Sequence, residues 1–121
     1  MHRILVVEDD DLIRDSLVEF LDDQGYQAIG AVDGRDALQW LRSGEPRPCV
    51  IVLDLMMPNM DGKAFREAQL GDAQLAGIPV IVVSAYRDVA KGAAELDVEH
   101  YLPKPLKLPV LLELVQKHCA H

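Results

Sequence analysis

Basic residues are in short supply in this chain: 12 Lys and Arg stand against 20 Asp and Glu, a formal net charge of −8. No cluster or stripe of Lys and Arg is visible, and a nucleic-acid backbone needs one, so the charge argues against direct nucleic-acid binding. Anionic membrane surfaces are disfavoured for the same reason. Long hydrophobic runs are missing too. Met1-His2-Arg3 is followed by only four apolar residues, too few for a signal peptide or a membrane span, so the chain is expected to be cytoplasmic. Cysteine is limited to Cys49 and Cys119, which implies no disulfide framework and two small buried hydrophobes. Repeats, linkers and low-complexity stretches are also lacking. At 121 residues, half of them apolar, the chain is expected to form one domain, 1–121, with its own core.

What is present is a set of purely apolar runs that each end on a polar residue. Ile4-Leu5-Val6-Val7 stops at Glu8-Asp9-Asp10-Asp11, Val50-Ile51-Val52-Leu53 at Asp54, and Val80-Ile81-Val82-Val83 at Ser84. Runs without polar alternation are strands covered on both faces, as in the centre of a parallel sheet. Residues 26–32 and 99–102 read as short strands, the former of mixed polarity and therefore at an edge. Helical stretches separate them. Ile13, Leu17, Phe20 and Leu21 form an apolar stripe that stops at Gly25, and Asp33-Gly34-Arg35-Asp36 opens a second helix with Ala37, Leu38 and Leu41 inward. A third follows Gly62, with Phe65 and Ala68 inward, and an alanine-rich fourth covers about 87–95 with Gly92 inside it. The last has Pro109 in its first turn and a core face of Leu108, Leu111, Leu112, Val115 and Cys119. Strand and helix alternate five times. This predicts an α/β fold, a three-layer, doubly wound (βα)5 arrangement around a parallel five-stranded sheet of order 2-1-3-4-5.

All strands of a parallel sheet end at one edge, so Glu8 and Asp9, Asp54, Ser84 and Lys104, which follow the first, third, fourth and fifth strands, should converge there. Acids at such positions often only cap helices, and Asp10 or Asp11 is expected to cap the first one. Four consecutive acids exceed what a cap needs. Three carboxylates brought together either take up protons or bind a cation. An all-oxygen site with no His or Cys nearby suits Mg2+. A hydroxyl and an ammonium facing the same point complete a cradle for a trianionic group, and an Asp carboxylate can act as a nucleophile on phosphorus. The remaining candidates have plainer readings. His118, Cys119 and His121 sit at a helix C-terminus that favours histidine through the dipole. His2 and His100 are solitary, Trp40 is partly packed, and Met56, Met57 and Met60 pack beneath the site.

Four pieces occur in order: Val7-Glu8-Asp9, Asp54 with Met57-Pro58-Asn59-Met60-Asp61-Gly62, Ser84-Ala85, and Tyr101-Leu102-Pro103-Lys104-Pro105. At these spacings the chain resembles, over its whole length, a receiver domain of two-component response regulators. The resemblance implies that Asp54 accepts a phosphoryl group from a histidine kinase or His-phosphotransfer protein in a Mg2+-dependent reaction. It implies Asp9, Asp54 and the backbone carbonyl of Met56 as direct metal ligands, with Glu8 acting through water. Lys104 would contact phosphoryl oxygens, and Pro105 would follow a cis peptide bond with Lys104. Ser84 and Tyr101 would act as switch residues that bias the surface of the fourth helix, fifth strand and fifth helix. Such a domain is not an enzyme apart from catalysing its own phosphorylation and dephosphorylation. Its output would run through a downstream protein or an effector domain outside this chain, and a phosphorylation-dependent homodimer fits the same pattern. Two other classes stay open. A binding domain that takes up no phosphate conflicts with the intact acids, Asp54 and Lys104. An aspartyl-nucleophile phosphatase would resemble Asp-x-Asp, and Met56 stands where its second acid belongs.

Overall fold

β-branched residues crowd a helix turn but pack well on a pleated surface, and the apolar runs consist almost wholly of Val, Ile and Leu. In the computed structural model, which describes residues 2–44, 46–55, 61–84, 93–94, 98 and 100–119, these runs are strands. With the two edge strands they make five: β1 (Arg3–Val7), β2 (Gln27–Ala31), β3 (Val50–Asp54), β4 (Val80–Ser84) and β5 (His100–Pro103). All pair in parallel, in the order β2-β1-β3-β4-β5. Four helices lie among the described residues: α1 (Asp11–Asp23), α2 (Gly34–Leu41), α3 (Gly62–Leu70) and α4 (Leu108–His118). The helix expected at about 87–95 falls outside the described residues except for Ala93 and Ala94, which are helical.

β3 and β4 are buried at every position, as strands covered by helices on both faces must be. One face of the sheet packs Leu5, Ile51, Leu53 and Val82 with Ala37, Leu38 and Phe65 of α2 and α3. The other packs Ile4, Val50, Val52 and Ile81 with Leu17 and Leu21 of α1 and Leu111 and Val115 of α4. Each such Val, Leu or Ile contributes about 1.5–3 kcal/mol relative to leaving it in water. β2 and β5, at the edges, each carry exposed positions, Gln27 and Gly30 in the first and Tyr101 and Pro103 in the second.

Aspartates set the starts of three helices, all at the C-terminal edge of the sheet. Asp10 accepts a hydrogen bond from the Ile13 amide at 3.1 Å, and Asp61 accepts one from the Ala64 amide at 2.8 Å. Asp33 accepts from the Asp36 amide at 2.8 Å while Asp36 accepts from the Val32 amide at 3.0 Å, a reciprocal cap. Gly25, at φ +94°, takes the left-handed conformation that turns the chain out of α1.

Three expectations need correction. Cys49 and Cys119 are not independent apolar fillers but form a disulfide across 70 residues, with their Cα atoms 5.5 Å apart. Cys49 immediately precedes β3, and α4 runs back from the end of β5, so its C-terminal Cys119 arrives at the N-terminal edge of the sheet. His100 is not solitary either: its ring meets that of His118 edge-on, centroids 4.9 Å apart. Leu112 is only half-buried, and Leu114 rather than Leu112 packs against the α4 side of the core.

Candidate functional site

The strand register brings the polar strand ends level with one another. Val7 pairs with Leu53, so Glu8 follows β1 at the height of Asp54, and Asp54 pairs with Val83, one residue before Ser84. Ser84 in turn pairs with Pro103, which Lys104 follows. Backbone bonds carry the ladder one step further: the Glu8 amide donates to the Ala31 carbonyl at 3.0 Å, and the Lys104 amide donates to the Ser84 carbonyl at 2.8 Å. Residues up to 96 positions apart therefore meet. The Lys104 ammonium lies 2.6 Å from Glu8 Oε1 and 3.3 Å from Asp54 Oδ2. Ligand oxygens of Glu8, Asp9 and Asp54 all lie within 4.8 Å of one another, and among the described residues no other group of three potential metal ligands does.

Burial makes this arrangement costly without a cation. Glu8 is 3% and Asp54 4% exposed, whereas Asp9 faces solvent. Burial raises the Glu8 carboxyl above its ordinary value, and hydrogen bonding and repulsion with Asp54 add to this against the opposing pull of Lys104. Desolvation also raises Asp9, helped by its hydrogen bond to Glu8. Burial alone would lower the Lys104 ammonium, but ion pairing with Glu8 and Asp54 outweighs it and the net shift is upward. Three ionised carboxylates and one ammonium leave two negative charges. In addition, Glu8 Oε2 is buried with no hydrogen-bond partner among the described residues. An orphaned oxygen beside two further carboxylates is the donor set a hard divalent cation fits, so these residues suit Mg2+.

The other predicted site residues are distributed as follows. Ser84 is fully buried at the end of β4. Tyr101 is 43% exposed on β5, opposite Val82. The Lys104–Pro105 peptide is cis. Met56, with its backbone carbonyl, lies outside the described residues, as do Met57, Met60 and His121.

Two supporting contacts escaped the sequence reading. The Arg14 guanidinium donates to the Glu8 carbonyl at 3.1 Å and to Asp11 at 2.7 Å, tying the acid turn to α1. Its stem lies over Gly30 of β2, where a Cβ would stand 3.0 Å from the Arg14 Cδ. A glycine inside a strand signals such a close approach, but only the topology says that Arg14 makes it. Gly62 packs against the strand end itself. A Cβ there would stand 2.8 Å from the Leu55 Cα and 3.0 Å from the Asp54 carbonyl oxygen, so α3 can start this close to β3 only with glycine.

Beside the acid cluster an apolar cleft of about 630 Å3 opens between α1 and the segment after β5, lined by Leu12, Ile13, Leu17, Lys104, Pro105 and Leu106. Leu12, at its rim, is 81% exposed.

The response regulator receiver domain family matches residues 4–116. The chain is 42% identical over 114 residues to response regulator MprA of Mycolicibacterium vanbaalenii, and 40% identical over 112 residues to MprA of Mycobacterium tuberculosis. Each alignment covers 91% of this chain and 47% of the relative, so the chain spans about half the length of these proteins. Among solved structures, it is similar to the signal receiver domain of a signal transduction histidine kinase from Syntrophus aciditrophicus. That likeness has a TM-score of 0.87 at 33% identity and covers 98% of this chain and 89% of that one. It is also similar to response regulator protein TrrA of Thermotoga maritima in complex with Mg2+-BeF, with a TM-score of 0.84 at 29% identity over 98% and 99% of the two chains.

Proposed function

The chain belongs to the response regulator receiver domain family, and from that premise we propose that residues 1–121 work as one phosphoacceptor domain with Asp54 as the acceptor. The observation that carries this reading is the meeting of three carboxylates with one lysine at the strand ends, with Asp54 bonded to that lysine. A histidine kinase or His-phosphotransfer protein supplies the phosphoryl group. An Asp54 oxygen attacks phosphorus, the P–N bond to the donor imidazole breaks, and the imidazole nitrogen keeps the electron pair and takes a proton. The product on this chain is an acyl phosphate at Asp54.

Glu8, Asp9 and Asp54, together with the Met56 carbonyl, would hold Mg2+, Glu8 through water. Bound there, the ion supplies charge neutralisation for the phosphoryl oxygens. Lys104 already lies between Glu8 and Asp54 and offers its ammonium to a phosphoryl oxygen on Asp54. The buried Ser84 hydroxyl reaches a second oxygen, and the exposed Tyr101 ring turns with it. This alters the surface that β5 presents to a downstream protein, an effector domain or a second copy. The apolar cleft beside Lys104, with Leu12 at its rim, offers a seat for the phosphodonor protein next to the acceptor. Such a domain turns over no separate substrate. We place it in the cytoplasm, in keeping with the finding that no described helix is long and apolar enough to cross a membrane.

Incubation with Mg2+ and acetyl phosphate or phosphoramidate tests the proposal by intact mass. The expected result is a gain of one phosphoryl group that hydroxylamine removes and that Asp54→Asn prevents. No gain would point instead to a domain that only binds partners, and steady phosphate release from varied monoesters would point to a phosphatase.

A further inference from the structure

The disulfide between Cys49 and Cys119 lies at the sheet edge opposite the acid cluster, outside everything the phosphoacceptor reading uses. Cys49 opens the strand that ends on Asp54, and Cys119 closes the last turn of α4, where its amide donates to the Val115 carbonyl at 2.8 Å. We propose that this pair is a reversible redox tether, which fastens the C-terminal end of α4 to the sheet when oxidised and releases it when reduced.

Three observations support both states. The Cα separation of 5.5 Å is the usual span of a disulfide, so closing the bond requires no backbone displacement. Cys119 is 2% exposed and part of the core packing, whereas Cys49 is only half-buried, so Cys49 is the more accessible half of the pair. The Arg3 carbonyl oxygen lies 3.3 Å from the Cys49 sulfur while accepting the Cys49 amide at 2.8 Å. A carbonyl has two lone pairs, so the reduced Cys49 thiol finds an acceptor in place.

The chemistry is thiol–disulfide exchange with a small disulfide such as oxidised glutathione. The Cys49 thiolate attacks one glutathione sulfur, the S–S bond of the oxidant breaks, and one glutathione leaves as thiolate. The Cys119 thiolate then displaces the second glutathione and forms the internal bond. Two protein thiols are oxidised to one disulfide, one oxidised glutathione is reduced to two thiols, and the two protons released by the protein pass to them. A reducing thiol in excess reverses both steps. In a reducing compartment the pair is open, and the domain registers a shift toward oxidising conditions by closing it.

The chain with its natural cysteines is treated with oxidised glutathione or with dithiothreitol, then alkylated, weighed, melted and followed by amide hydrogen exchange. Oxidation should leave no alkylatable thiol. Reduction should expose two thiols and lower Tm by roughly 10 °C, given the long loop that the bond closes. Exchange at residues 114–118 should accelerate on the order of tenfold on reduction, with β3 changing far less. Cys49→Ser and Cys119→Ala should each abolish the dependence of Tm on the added thiol. Two alkylatable thiols after oxidation, equal Tm in both states, or a redox-dependent Tm that survives in both variants would overturn the proposal.

Discussion

Gln69 and Glu8 are buried to almost the same degree at opposite edges of one sheet, and their surroundings differ in kind. Gln69 Oε1 accepts from Arg66 at 2.7 Å, and its Nε2 donates to the Leu75 and Ile78 carbonyls at 3.0 and 2.9 Å. Both its polar atoms are satisfied, and the loop between α3 and β4 is clamped by them. Glu8 shares its one strong partner, Lys104, with Asp54 and keeps an oxygen with no hydrogen bond among the described residues. A buried amide fully bonded fixes a loop at little net cost, whereas a buried carboxylate cluster short of positive charge is held in place by the strands around it. The N-terminal edge, with the Gln69 clamp and the Cys49–Cys119 bond, braces the fold. The C-terminal edge carries unrelieved charge, which a cation or a phosphoryl group can engage.

The largest effect should come from removing the Lys104 ammonium that pairs with both buried acids. Lys104→Met removes the ammonium that lies between Glu8 and Asp54 and should cost about 3 kcal/mol in urea unfolding without Mg2+. Adding Asp54→Asn to that variant should recover part of the loss, and a double mutant no more stable than the single would break the comparison. Gln69→Leu tests the other edge. It leaves the Leu75 and Ile78 carbonyls without this donor and should cost about 2 kcal/mol, with no change in Mg2+ response because the clamp lies away from the acids.

A smaller effect, of opposite sign, is expected at Asp54 itself. Asp54→Asn removes one of three crowded carboxylates and should raise apo stability by about 1 kcal/mol. The pH dependence sharpens the point. Glu8 titrates above its ordinary 4.5 in the folded protein, so from that pH upward the folded state holds the proton more tightly than the unfolded chain. The Glu8 contribution to stability therefore falls as pH rises through this window. Glu8→Gln should remove that component, which a comparison of wild-type and variant stability at several pH values between 4.5 and neutrality would detect.

The strands and the gathering of the acids were legible because both rest on local signals: apolar runs of four, each broken by a polar residue, and a topology that sends every break to one edge. The cap of the first helix was legible to within one residue, Asp10 or Asp11, for a similar reason, since the partner of Asp10, Ile13, is three residues away. What escaped depends on contacts that arise only once the chain folds back on itself. Cys49 and Cys119 are 70 residues apart, and their spacing carries no trace of pairing, which follows only from α4 returning along the sheet. Arg66 and Gln69 look like solvent-facing residues of a weakly amphipathic helix, and only the fold of the loop back over α3 buries them. The meeting of His100 with His118 has the same origin, as does the fit of Gly62 against the end of β3.

The central claim is that Glu8, Asp9 and Asp54 form a strained acid edge that Mg2+ relieves, and a Mg2+ titration of the melting temperature at neutral pH tests it most directly. Binding to the folded state should raise stability by about 2.7 kcal/mol at a hundredfold excess over Kd, with most of that gain absent in Asp9→Asn. An unchanged Tm in saturating Mg2+, or an equal rise in Asp9→Asn, would contradict the account.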